Sequence, residues 1–149
     1  MKTQLKVWLL TATFILTGSY LFAQTDKPYK EGTVWQVSFI KTKANMGDEY
    51  LKGLSANWVK IQNEAVKQGL IVSYKVLTGD ASNPQDWDIM LMVEYKNMAV
   101  MDDTSTEAKW ETLMKSFVGT EDQQKSLNQQ RGDIREIYGT KLVREIIFK

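Results

Sequence analysis

Asn57, Trp58, Tyr74 and Trp87 are the side chains of this sequence best suited to hold a small molecule, and Asp86 with Asp88 the pair best spaced to hold a cation. Three aromatic rings and one amide match the lining of a ligand pocket, which is mostly apolar with a few placed polar groups. The same aromatics, at helical and strand spacing, also fit plain core packing. Aspartates two apart at the start of a strand point to one side and could present hard oxygen ligands. Beside Pro84 they read better as a solubility device at a strand edge, so no metal is expected. Asp102-Asp103 reads as turn and capping chemistry ahead of a helix, and the stretch from Asp80 to Pro84 reads as a turn, because it lacks the Gly and distal Glu of a calcium loop.

What is missing cuts deeper. The 149 residues contain no His and no Cys. That removes the Ser-His-Asp triad, an HExxH zinc site, imidazole ligation of haem, thiolate catalysis and disulfides. Neither a GxxxxGK[ST] loop nor a GxGxxG fingerprint is present, so nothing supports nucleotide binding and no cofactor is expected.

The elements that must position these residues begin after an amino-terminal address. Lys2 and Lys6 precede an apolar run from Val7 to Leu16, and Ala23 ends a cleavage region, so residues 1–23 read as a signal peptide. The run is shorter than the ~20 residues a membrane span needs. A periplasmic or secreted protein is expected, with no membrane association after cleavage. The absence of Asn-x-Ser/Thr sites favours a bacterial export route. The remaining 126 residues carry 17 basic and 18 acidic side chains, a balance that steers the protein to no nucleic acid. That length makes one domain, able to bury about two-thirds of its unfolded surface.

Residues 24–31 are polar and read as a flexible leader, with the folded domain covering 32–149. Alternation predicts strands over 33–41, 70–78 and 87–95, and a long strand over 133–148 that Gly139 bends. Three- and four-residue spacing of Leu51, Leu54, Trp58, Ile61 and Ala65 predicts a helix capped by Asp48 and Gly69. Trp110, Leu113, Met114 and Phe117 predict another over 106–118, and 121–131 a short surface helix. The order is βαββαβ, an α+β ferredoxin-like arrangement with a four-stranded antiparallel sheet and the helices on one face.

The strand patterns divide into two faces. Trp35, Val37, Phe39, Val72, Tyr74, Val76, Trp87, Ile89, Leu91 and Val93 are assigned to the helix-covered face. The other mixes Gln36, Ser38, Lys75, Asp88 and Glu94 with Val34, Ile40, Ile71, Leu77, Met90 and Met92. So many large apolar groups on an open face mark an interface, and a homodimer is expected with Gln36, Ser38, Lys75, Met90 and Met92 on the contact face.

The stretches Trp87-Asp88-Ile89-Met90-Leu91-Met92-Val93-Glu94-Tyr95-Lys96-Asn97-Met98 and Ile134-Arg135-Glu136-Ile137-Tyr138-Gly139, with this element order, resemble the dimeric α/β-barrel superfamily, in particular secreted bacterial members without an assigned activity. The resemblance implies two ferredoxin-like subunits packed sheet to sheet. It also implies a spread of activities, from cofactor-independent oxygenases of aromatic compounds to haem-degrading enzymes, which fold alone does not separate. Haem-degrading members use a His, which is absent here. Two functions follow as expectations: a module binding a small apolar or aromatic ligand between sheet and helices, or a cofactor-independent monooxygenase or isomerase acting on an aromatic substrate. In such a dimer Lys75 would face Asp88 or Glu94 inside the barrel, and Arg135, Glu136, Arg144 and Glu145 would either pair across the seam or stay solvated. Arg131-Gly132-Asp133 reads as the turn into the last strand.

Overall fold

The computed structural model describes residues 27–149. The expected signal peptide, 1–23, and the first three residues of the expected leader, 24–26, lie outside the described residues. Four strands are formed, β1 (Tyr29–Thr42), β2 (Ser73–Thr78), β3 (Ile89–Tyr95) and β4 (Arg135–Phe148). Between β1 and β2 run α1 (Gly47–Gly53), a π turn (Leu54–Trp58) and α2 (Val59–Lys67), and between β3 and β4 come two 3-10 turns, α3 (Glu107–Phe117) and α4 (Glu121–Ile134). The strand β1 begins three residues before Gly32. Residues 31–147 form one compact unit, and residues 27–30 group instead with Phe148–Lys149, where the Lys149 amide donates to the Pro28 carbonyl at 3.0 Å.

The sheet order is β2-β3-β1-β4. Both β1 and β2 run antiparallel to β3. Ser38 bonds Thr140 while Thr33 reaches Glu145, so β1 and β4 are antiparallel as well. Strand order and connections are those of a ferredoxin-like fold. The sheet is open, with β2 and β4 as its edges.

Ladder pairing settles which side chains share a face, since residues directly opposite in an antiparallel pair point the same way. Val34, Gln36, Ser38 and Ile40 oppose Tyr95, Val93, Leu91 and Ile89, and Tyr74 and Val76 oppose Val93 and Leu91. Two buried clusters lie on this side. In one, Ala65, Leu70, Ile71, Val93 and Leu113 pack with Tyr74, Trp110 and Phe117. The other joins Ile40, Tyr50, Leu54 and Ile89 to Val76, Leu91 and Ile134. The helices therefore cover this face.

The expected assignment of β1 is thus reversed. Trp35, Val37 and Phe39 oppose Glu94, Met92 and Met90 on the open face, while Gln36 and Ser38, expected at a dimer contact, lie under the helices. A shift of one residue flips every side chain of a strand, and β1 is apolar on both sides. Val34 and Ile40, each 1% exposed, are buried on the helix side, and Val37, 5% exposed, is buried on the other face. Ile71 also moves: it precedes β2 and is buried with Leu70.

The helices are punctuated by local chemistry. Gly69 takes a φ of +69°, its amide bonds the Val66 carbonyl and the Leu70 amide bonds the Ala65 carbonyl, a Schellman turn that ends α2. Asp48 is not the cap of α1; it falls in the first turn, after Met46, which makes no side-chain cap. Thr120 and Gln123 form a reciprocal capping box on α4. That helix runs to Ile134, so the Arg-Gly-Asp tripeptide is helical and not a turn.

Candidate functional site

The expected aromatic pocket is half assembled. Trp58, at the end of the π turn, meets Tyr74 edge to face, with centroids 5.3 Å apart and planes at 88°. Trp58 packs against both core clusters, so the space between these rings is filled by the rings themselves. Trp87 is elsewhere. Its ring lies 5.8 Å from that of Phe39, which belongs to the open face. Asn57 sits half-buried in the π turn beside Trp58, and the amide that engages Tyr74 is another: the Tyr74 phenol donates to Asn63 Oδ1 at 2.8 Å.

That bond stands in the wall of a groove of about 470 Å³ between α2 and the start of β2, lined by Asn63, Val66, Lys67, Val72, Ser73 and Tyr74. Its size falls within the range of small-molecule sites. The groove exists because the turn at Gly69 sends Leu70 and Ile71 into the core and leaves Val66 and Val72 outside, at 38% and 46% exposure. Lys67 is tied to Glu64 at 3.2 Å. Glu64 also accepts from Gln68, and these two donors hold its carboxyl below the ordinary range. The wall thus offers apolar methyls, a phenol, an amide, a hydroxyl and an ammonium, but no paired nucleophile and base. Asn63 was not singled out from sequence; its spacing of three and four from Val66 and Lys67, which puts them on one helix strip, is the signal that marks it.

The carboxylates expected to be structural have internal partners. Asp86 accepts from the amides of Ser82 and Trp87, both at 2.9 Å, and the Ser82 amide is the main reason its carboxyl is held below the ordinary value. Asp88 accepts from the Thr42 amide and hydroxyl and lies 3.8 Å from Lys41. Asp103 accepts from the Ser105 amide as an Asx turn. Among the described residues there is no cluster of three metal-ligating side chains. Within one chain Lys75 pairs opposite Met92 and its ammonium lies 5.1 Å from the centre of the Trp35 ring, while Glu94 accepts from Ser73. Arg144 pairs with Glu31 at 2.9 Å.

No protein-family model and no curated protein sequence matches the chain. Among solved structures it is similar to a protein from Shewanella oneidensis (11% identity, 80% of this chain and 98% of that one, TM-score 0.47). It is also similar to a dimeric ferredoxin-like protein from an uncultured marine organism (13%, 80% and 90%, TM-score 0.48). A third is a dimeric protein of unknown function and ferredoxin-like fold from Bacteroides fragilis (15%, 78% and 97%, TM-score 0.41). At these values neither activity nor assembly is carried over to this chain.

Proposed function

We propose that this chain is an exported homodimeric binding module that takes a small amphipathic molecule in the groove between α2 and β2. The observation that carries the reading is the groove itself, apolar at Val66 and Val72 and marked by the bonded pair Tyr74 and Asn63. Such a wall recognises an apolar body carrying one hydrogen-bonding group. Export rests on the charged, apolar and small-residue order of residues 1–23. Dimerisation rests on the open face, where Trp35, Phe39, Leu77, Met90 and Met92 gather, and on β4. In β4 the neighbours Leu142 and Val143, and again Ile146 and Ile147, are exposed. Successive strand residues point to opposite faces, so both sides of β4 present apolar surface to a partner.

The test is a fluorescence titration of the purified protein with the neutral probe N-phenyl-1-naphthylamine. Saturable binding is expected, weakened at least tenfold in Val72→Glu, a substitution at an exposed position that leaves the core intact. Unsaturable binding, or equal binding by the variant, overturns the groove. Turnover of a phenol or quinol lost in a Tyr74→Phe, Asn63→Ala double variant would replace binding with oxygenase or isomerase chemistry. Export is checked by mass spectrometry of the protein recovered outside the cytoplasm, with an amino terminus at Gln24 expected.

A further inference from the structure

A second cavity, of about 190 Å³, lies at the start of the same helical run, bracketed by Glu49, Tyr50 and Gly53 of α1 and by Leu127, Gln130, Arg131 and Ile134 of α4. The α4 residues are spaced three, four and seven apart and form one strip of that helix. Tyr50 is 2% exposed, and the Arg135 guanidinium lies 5.5 Å from the centre of its ring. Arg131 and Arg135 thus converge on one buried phenol. Among the described residues no carboxylate comes within 4.0 Å of either guanidinium, and Arg135 Nε is buried without a hydrogen-bond partner.

Two half-buried cations with no carboxylate paired to them are costly, because burial penalises each charge and each raises the potential at the other. Burial lowers the pKa of Arg131, Tyr50 offsets part of that, and the Arg135 charge adds a smaller push downward. Guanidinium matches the planar fork of a carboxylate, and Leu127 and Ile134 supply an apolar wall beside it. The volume equals that of about six waters, room for a short aliphatic acid and little more. Glu49, on the same wall, disfavours a second negative charge.

We propose that this cavity is a binding site for a small aliphatic monocarboxylate, held by Arg131 with Arg135 behind Tyr50, and independent of the groove at Tyr74. Isothermal titration of the purified protein with butyrate is the test. Saturable binding is expected, reduced at least tenfold by Arg131→Gln, the loss of one charge-assisted hydrogen bond at minimum. Gly53 lines the cavity in helical backbone with nothing within 4 Å of the position a Cβ would take, so Gly53→Leu can fill the space without disturbing the helix and should abolish binding. Butanol should not bind, and succinate should bind at least tenfold more weakly than butyrate. Absence of saturable butyrate binding, equal binding in either variant, or butanol or succinate binding as tightly as butyrate overturns the proposal. N-phenyl-1-naphthylamine binding unchanged in both variants shows that the fold and the groove are intact.

Discussion

Gln62 shows how much one residue can go against its surroundings. It is 7% exposed within a helix whose neighbours Ile61 and Ala65 are core, and its Oε1 has no hydrogen-bond partner among the described residues. A buried polar atom left unpaired costs about 1–3 kcal/mol, so Gln62→Leu should raise stability by about 1 kcal/mol in urea denaturation. A loss of stability would mean that the amide is engaged. Asp86 is the opposite case, a carboxylate rewarded by its loop. Its pKa is held below the ordinary 3.8, chiefly by the Ser82 amide. A depressed carboxyl contributes stability that is whole above its unfolded value and is lost as pH falls through the folded one. Asp86→Asn should therefore lower the urea midpoint at about pH 6, with the gap to the parent closing below about pH 4. A gap that persists in acid would assign the effect to shape and not to charge. The sequence spelled the turn over Asp80 to Pro84 but read Asp86 as a solubility device at a strand edge; its part in bonding the loop amides is set by the folded turn. It could not show that Asn63, and not Asn57, meets Tyr74, because that choice depends on how the π turn rotates the helix ahead of α2.

At the scale of elements the reading from sequence went furthest where the signal was local. The glycine at 69 ends its helix as expected, and the backbone there is left-handed, so Gly69→Ala should cost about 1–2 kcal/mol, measured as a fall in urea midpoint. A neutral result would show that the turn relaxes. The helices over Glu107–Phe117 and Glu121–Ile134 and the strands β2, β3 and β4 lie within a few residues of where periodicity put them. The phase of β1 was not local. Trp35, Val37 and Phe39 look more like core than Val34, Gln36, Ser38 and Ile40 do, and only pairing with β3 decides which set faces the helices.

For the whole molecule, the question is what covers the sheet's open face and β4. Light scattering at micromolar concentration should give twice the chain mass. Met92→Glu, which places a charge among Trp35, Lys75 and Met90 on that face, should shift the mass to that of one chain with the helical content unchanged. A single-chain mass for the parent would remove the dimer while leaving the groove and the arginine cavity untested by that result and open to their own titrations. The absence of Cys gives this question weight, since no disulfide can staple the chain.

By itself the sequence determined the ferredoxin-like order of elements, the glycine end of α2 and the exclusion of imidazole and thiolate chemistry. Composition, periodicity and capping act over a few residues, which is why they can be read from the chain alone. Tertiary structure decided the rest. Strand pairing turned Gln36 and Ser38 under the helices and Trp87 toward Phe39, and helix packing brought Arg131 and Arg135 to Tyr50 across more than 75 residues of chain. Such meetings depend on which surfaces pack together, and no window of local sequence contains both partners.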